Sequence, residues 1–172
     1  MKNKTRILIE IALSVAIAVV LSKIRVFKMP QGGSITLDML PLAFIAYKRG
    51  VKASLFAGIL FGTVSLVLID SPIISIFQPM LDYILPAMAF FVCGFAMRKG
   101  LYVKEFLFFI ALLLKFLCHF ASGVIYYGQY APEGQSVYMY SLIYNLSYLL
   151  PSAVIVMILI YFFEKKNLFN AS

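Results

Sequence analysis

Charged residues are scarce in this chain of 172 residues, and tryptophan is absent. Only 13% of the residues are charged, whereas 63% are hydrophobic. A water-soluble domain of this size could not cover so much apolar side chain with so few charges, which excludes an ordinary soluble fold. The bilayer is therefore the expected solvent, and we predict an integral membrane protein.

Two further absences exclude classes of function. The two cysteines, Cys93 and Cys118, lie in apolar runs without metal-ligand spacing, so we expect buried thiols and no metal site. The chain has no G-x-x-x-x-G-K-[ST] phosphate loop, and it has no basic helix or aromatic-interleaved basic stripe. We therefore expect neither ATP hydrolysis by this chain nor nucleic acid as a partner.

Six apolar segments approach the length of about 20 residues that a helix needs to cross hydrocarbon. We place these spans near residues 6–27, 35–48, 51–69, 74–97, 103–128 and 136–163. The second is short and follows "MPQGGS", where proline and glycine favour a loop or a re-entrant entry. The prediction is one all-α membrane domain, residues 1–172, with six transmembrane helices. Six spans without an internal repeat are few for a self-sufficient transporter, so transport would imply a partner.

The distribution of lysine and arginine predicts the orientation. With a cytoplasmic N-terminus, most basic residues fall on the inner side: Lys2, Lys4, Arg6, Lys48, Arg49, Lys52, Arg98, Lys99, Lys104, Lys165 and Lys166. The loops "DSP" and "GQYAPEGQ" carry no lysine or arginine, and only Lys23, Arg25 and Lys28 oppose the pattern. Since basic loops stay inside, both termini are predicted to be cytoplasmic.

Polar residues on three predicted spans fall at one depth. Asp82, His119 and Asn145 each lie roughly nine residues from the outer end of a span, at about 1.5 Å per residue. Lys115 lies one turn deeper on the face of His119, and Tyr140 lies a little over one turn shallower than Asn145. These residues form a predicted polar layer in the outer half of the membrane.

Each member of this layer also has a structural interpretation. A carboxylate and a lysine can neutralise each other, and a histidine or an asparagine can bridge helices. Tyr126, Tyr130 and Tyr138 fit an interfacial belt better than a ligand cage. The shared depth nevertheless favours an enclosed polar ligand, and a small, planar, positively charged heterocycle would suit these side chains. A proton relay would use the same residue types.

Two pairs of small residues permit close helix approach. Ala12 and Ala16 form one pair and Gly58 and Gly62 form the other. We expect packing within the chain to be the use of either pair, because small residues line most helix contacts in membranes. The first span is the better candidate for docking a partner because it is terminal.

Three segments carry a family resemblance that runs from the first span to the last. They are "GGSITLDMLPLAFIAYKRGVKASLFAGILFG", "QPMLDYILPAMAF" and "KFLCHFASGVIYYGQYAPEGQSVYMYSLIYN". They resemble the thiamine-specific substrate-binding component, the S component, of energy-coupling factor (ECF) transporters. The resemblance implies the S-component fold in the bacterial plasma membrane, with high-affinity capture of thiamine from outside. It also implies a transmembrane coupling subunit and two ATPase subunits as partners.

The resemblance also implies the site residues. The substrate-binding set falls on Asp82, Tyr83, Lys115, His119, Gly123, Tyr127, Tyr140 and Asn145, and the docking pair falls on Ala12 and Ala16. No catalytic residue, metal or cofactor is implied, since thiamine would be the ligand.

Particular roles follow from this carry-over as hypotheses. Asp82 would complement the thiazolium or the aminopyrimidine, and Tyr127 and His119 would stack against a ring. Tyr140 and Asn145 would hydrogen-bond the pyrimidine edge, and residues 28–36 would form a lid.

The chain also departs from the family pattern. Some relatives have a glutamate where Asp82 stands, so this carboxylate lies about one methylene farther from its ligand. Tryptophans that stack on thiamine in relatives have no counterpart, because Tyr127 takes one such position and Gly32 approximately the other.

Three alternatives stay open at this point. One is an S component for another vitamin or for a thiamine precursor. Another is an intramembrane enzyme that uses Asp82 and His119 as a general acid and base. The third is a purely structural membrane subunit.

Overall fold

The computed structural model describes residues 2–68 and 73–169. Within these residues the chain forms six helices, a small hairpin and a short 3₁₀ turn, Gly128–Tyr130. The helices are α1 (Lys2–Lys23), α2 (Met39–Arg49), α3 (Val51–Val67), α4 (Met80–Ala96), α5 (Leu101–Tyr126) and α6 (Val137–Lys165). The hairpin pairs β1 (Phe27–Lys28) with β2 (Ser34–Ile35) in antiparallel fashion. The prediction of an all-α membrane fold with six helices is confirmed.

Among the described residues, α1, α5 and α6 are long and apolar enough to cross a membrane, while α3 and α4 are shorter apolar helices. The ends of the predicted spans differ from the helices by several residues. Helix α1 ends at Lys23, not at residue 27, and residue 35 belongs to β2, not to a helix. Apolar but exposed residues such as Val26 and Phe27 prolong the hydrophobic run past the helix end. The "DSP" loop, residues 70–72, lies outside the described residues.

Helix α2 is the central helix of the bundle. Its residues Met39, Leu42, Ala43, Ile45 and Ala46 are at most 1% exposed, so helices surround it on every side. The outer helices instead carry apolar side chains on the surface, such as Leu13 and Ile17 of α1, which are more than half exposed. Lipid solvates such faces well. A short helix is therefore tolerated at the centre because longer helices shield it.

Small residues bring α3 and α4 together. A methyl group on Gly58 would lie 2.7 Å from the carbonyl oxygen of Ala87, and one on Gly62 would lie 2.7 Å from Cα of Ile84. The within-chain packing predicted for the glycine pair is confirmed. The same expectation is wrong for the alanine pair, because Ala12 and Ala16 lie on the exposed face of α1.

Ion pairs connect the helices at the end of the bundle that holds both termini. Glu10 of α1 contacts Arg49 of α2, whose Nη2 donates to its carboxylate at 2.7 Å, and Lys48 lies 3.7 Å away. On the other side Lys104 of α5 is 1% exposed and its Nζ lies 2.7 Å from Glu164 of α6. Basic residues that the orientation argument assigned to the inner side therefore cluster at this end.

Removing the Glu164 charge would test the value of the buried ion pair. We expect Glu164→Gln to lower the free energy of unfolding by about 3 to 5 kcal/mol, because it leaves the Lys104 charge buried without a counter-ion. Thermal unfolding in detergent measures the change. Combining it with Lys104→Met would recover most of the loss, and Glu133→Gln on an exposed loop serves as control. A Glu164→Gln protein as stable as the parent would contradict this interpretation.

Candidate functional site

A cavity of about 260 Å³ lies at the end of the bundle opposite the termini. Its walls come from the C-terminal ends of α1, α3 and α5 and the N-terminal ends of α4 and α6, and the hairpin lies over it. All eight residues of the predicted substrate-binding set line it: Asp82, Tyr83, Lys115, His119, Gly123, Tyr127, Tyr140 and Asn145. The polar layer inferred from depth is therefore one enclosure.

Asp82 reaches the cavity from an irregular helical segment. The first turn of α4, Met80–Ile84, is π-helical, and an α-helical turn and a 3₁₀ stretch follow it. Such turns insert an extra residue into the helix and are frequent at functional sites. The Asp82 carboxylate accepts a hydrogen bond from the Tyr127 hydroxyl at 3.4 Å and lies 4.0 Å from Nδ1 of His119. Helix α4 and the C-terminal part of α5, with its C-cap Tyr127, thus meet at one carboxylate.

Lys115 forms an ion pair with a residue that the sequence analysis did not select. Its Nζ lies 3.5 Å from Oδ2 of Asp38, at the start of α2, and Asp38 also accepts a hydrogen bond from the Thr36 hydroxyl. Asp38 is only 6% exposed. The charge of Lys115 is therefore matched within the protein, and no lysine or arginine of the described residues lies within 4 Å of Asp82.

Asn145 is held firmly by its neighbours. Its amide nitrogen donates to the backbone oxygen of Ser141 at 2.9 Å and to that of His119 at 3.3 Å, and its amide oxygen accepts from the Tyr148 hydroxyl at 2.7 Å. An amide oxygen can accept two hydrogen bonds, so this one could accept a second donor. Gly123 makes this contact between α5 and α6 possible, because a Cβ there would lie 3.0 Å from Cβ of Ser141.

Three tyrosines of α6 form a ladder along one wall. Tyr140, Tyr144 and Tyr148 follow each other at intervals of one turn, with ring centroids 5.7 and 5.9 Å apart. The His119 ring lies 6.3 Å from that of Tyr148, edge to face. This wall offers aromatic surface and hydroxyl groups to a flat ligand.

The hairpin is fastened to this ladder. The backbone N–H of Gly33 donates to the Tyr144 hydroxyl at 3.1 Å, and a Cβ on Gly33 would lie 2.6 Å from the Tyr148 ring. Farther along, the Thr36 N–H donates to Oγ of Ser152 at 3.2 Å. The segment for which a lid was hypothesised therefore lines the cavity and contacts α6 at Tyr144, Tyr148 and Ser152.

Comparison with known proteins identifies the family of this chain. The family model described as thiamine transporter protein (Thia_YuaJ) matches residues 8–170. The chain belongs to this family. It is 35% identical over 162 residues to the thiamine transporter ThiT of Bacillus subtilis (strain 168). The matched region covers 86% of this chain and 84% of that relative. The family predicted from the three sequence segments is confirmed.

Two further relatives extend the comparison. The thiamine transporter ThiT of Lacticaseibacillus paracasei is 27% identical over 169 residues, 90% of this chain and 84% of that protein. A solved structure of ThiT from Listeria monocytogenes superposes with a TM-score of 0.87 at 26% identity, covering 97% of this chain and 98% of that one. As a thiamine transporter family member, the chain is a multi-pass membrane protein of thiamine uptake and not an enzyme.

Sequence reasoning missed several residues that line the cavity. Tyr144 and Tyr148 could have been found, because they continue from Tyr140 at a spacing of four residues on one helix face. Asp38 carried no such signal, since its partner lies 77 residues away on another helix. Contacts of that range depend on the tertiary arrangement of α2 and α5.

The close approach at Gly123 can be tested with one methyl group. We expect Gly123→Ala to lower stability by about 1 to 3 kcal/mol, because the added Cβ pushes α5 away from Ser141. Thermal unfolding in detergent measures the shift. Gly100→Ala is the matched control, since a Cβ there would meet no atom within 4 Å. If Gly123→Ala is as stable as Gly100→Ala, α5 and α6 accommodate the added methyl group without a loss in the free energy of unfolding, which would contradict the expectation.

Proposed function

We propose that this chain captures thiamine from outside the cell in the cavity beneath the hairpin. The observation that carries the proposal is the charge environment of Asp82. Asp38 pairs with Lys115, whereas Asp82 has hydroxyl, amide and imidazole neighbours and no lysine or arginine of the described residues within 4 Å. An enclosed carboxylate without a basic partner favours a cationic ligand, and the thiazolium ring of thiamine carries a permanent positive charge.

The remaining walls fit the two flat rings of thiamine. His119 and the tyrosine ladder offer ring edges and faces, and the Tyr127 hydroxyl lies 3.4 Å from the Asp82 carboxylate. Aromatic faces attract a cationic ring, and this attraction grows where water is excluded. Asn145 and Tyr140 both line the cavity from α6, where they would bond the polar edge of the aminopyrimidine.

Delivery into the cell requires an energy source, which the proposal assigns to partners. The chain would act as the S component of an ECF transporter, in which a coupling subunit and two ATPases supply the ATP-driven step. Ala12 and Ala16 support this role, because they form a small, exposed patch on a terminal helix whose other face is buried through Ile11 and Val15. The setting is the bacterial plasma membrane, with both termini cytoplasmic and the cavity outside.

Binding of thiamine to the purified protein tests the site. We expect Asp82→Asn and His119→Ala each to weaken the affinity about 10- to 100-fold, because hydrogen bonds to charged groups contribute about 1.5 to 3 kcal/mol. Isothermal titration calorimetry provides the dissociation constants. Glu133→Gln removes a carboxylate from an exposed loop outside the cavity and is the control. Unchanged affinity in both cavity variants would place the site elsewhere.

The ligand itself can be identified independently of any variant. The protein is purified in detergent without added ligand, and any small molecule that copurifies is determined by mass spectrometry. Thiamine is the expected compound, and in competition it is expected to displace the uncharged hydroxymethylpyrimidine precursor. Preference for the precursor would contradict the role assigned to Asp82, because that ligand lacks the thiazolium cation.

Bulky residues on α1 test the docking surface. We expect Ala12→Trp and Ala16→Trp to abolish copurification of the coupling subunit and thiamine uptake by cells, while thiamine binding to the isolated chain stays unchanged. The reason is that a small-residue patch allows close helix approach and a large ring prevents it. Val154→Trp, at an exposed position of α6, is the matched control. Normal complex formation by both alanine variants would exclude this face.

A further inference from the structure

Gln78 is buried just outside the cavity wall. It is 3% exposed, lies two residues before the π-helical turn of Asp82, and does not itself line the cavity. Its amide oxygen accepts from the backbone N–H of Ile74 at 2.8 Å, and its amide nitrogen donates to the Tyr127 hydroxyl at 2.7 Å. Both ends of this amide are therefore used, and the amide also lies near the Asp82 carboxylate.

These two hydrogen bonds fix a direction. The Ile74 N–H can only donate, so it holds the oxygen of Gln78 on its own side and turns the NH₂ group toward Tyr127. The Tyr127 oxygen then accepts from Gln78, and its single proton is left for Asp82, whose carboxylate lies 3.4 Å away. If Tyr127 instead donated to Gln78, its proton would point away from the Asp82 carboxylate.

We infer that Gln78 is a positioning residue for ligand binding. It accepts a hydrogen bond from the Ile74 N–H and thereby holds the Tyr127 hydroxyl as a donor to Asp82. This inference rests on the proposed function, because it concerns the affinity for a cationic ligand. A fixed donor keeps one carboxylate oxygen occupied and orients the other toward the cavity and His119, whose Nδ1 lies 4.0 Å from it. Ligand binding then needs no reorientation of the carboxylate.

The hydrogen bonds from Ile74 through Gln78 and Tyr127 also link Asp82 to the outer segment that connects α3 and α4. Ile74 is 60% exposed and follows the residues that the structure leaves undescribed, whereas Gln78 and Asp82 are enclosed. A path of hydrogen bonds thus runs from the backbone N–H of Ile74 at the surface to the carboxylate of Asp82. Networks of this kind gain strength in surroundings of low dielectric constant, where an unpaired member is costly.

A double-mutant cycle with thiamine as the probe tests the inference. Gln78→Met keeps the volume of the side chain but removes both hydrogen bonds, and Tyr127→Phe removes only the hydroxyl. We expect Gln78→Met to weaken thiamine affinity at least about fivefold in the parent protein and less than about twofold in the Tyr127→Phe protein. The matched control is Gln129→Met, which makes the same change on the exposed surface outside the cavity.

The possible results separate the two proposals. An equal loss in both backgrounds, or no loss in the parent, overturns the inference, because Gln78 then does not act through the Tyr127 hydroxyl. Absence of thiamine binding by the parent protein would overturn the proposed function itself. If Gln78→Met does not fold, Ile74→Pro replaces it in both backgrounds, since it removes the N–H that holds the amide and the Tyr127→Phe background corrects for its effect on the backbone. A loss of affinity confined to the protein that retains the Tyr127 hydroxyl supports the inference, and an equal loss or none overturns it.

Discussion

A carboxylate without a basic partner, enclosed in an apolar bundle, is the constraint on which the rest of this structure depends. Ionised groups are costly in such surroundings unless they are paired or hydrogen-bonded. Asp82 receives a hydroxyl and an imidazole but no lysine, although Lys115 lines the same cavity. The reason is that Asp38 takes the lysine. Asp82 is thus left without a lysine partner because a second carboxylate pairs with Lys115.

The enclosure depends on contacts that small residues allow. Gly123 lets α6 approach α5, and Gly33 lets the hairpin backbone rest on the Tyr148 ring. Both glycines line the cavity that also contains Asp82. Electrostatic attraction is stronger where water is excluded, so close backbone packing around the cavity would strengthen the attraction of Asp82 for a cation.

The two ends of the bundle differ in what their charges do. At the end with the termini, carboxylates and basic groups satisfy one another, as in the pairs of Glu10 with Arg49 and of Glu164 with Lys104. At the other end no lysine or arginine of the described residues lies within 4 Å of Asp82. Between them α2 is buried on every side, while α1 exposes Ala12 and Ala16 to the surroundings. The ion pairs that hold the helices together and the proposed ligand site therefore lie at opposite ends of the bundle.

The number of helices, their approximate places and the family could be predicted from the sequence, because apolar length and ordered motifs are local properties of the chain. The depth of Asp82, His119 and Asn145 was predictable for the same reason, since helical rise converts residue number into height. Helix ends were less predictable. Apolarity alone does not distinguish a helix from the exposed hairpin that follows α1.

The sequence by itself determined that this chain lies in a membrane and that polar groups share one level within it. Only the tertiary structure decided which of them pair: Lys115 with Asp38, Gln78 with Tyr127, and Asn145 with its own neighbours on α5 and α6. Such choices depend on the azimuth of each helix and on the π-helical turn that aims Asp82, and these are set by packing between residues distant along the chain. The depth of a residue follows from its position along its own helix, whereas its hydrogen-bond or ion-pair partner depends on residues that are distant in the sequence.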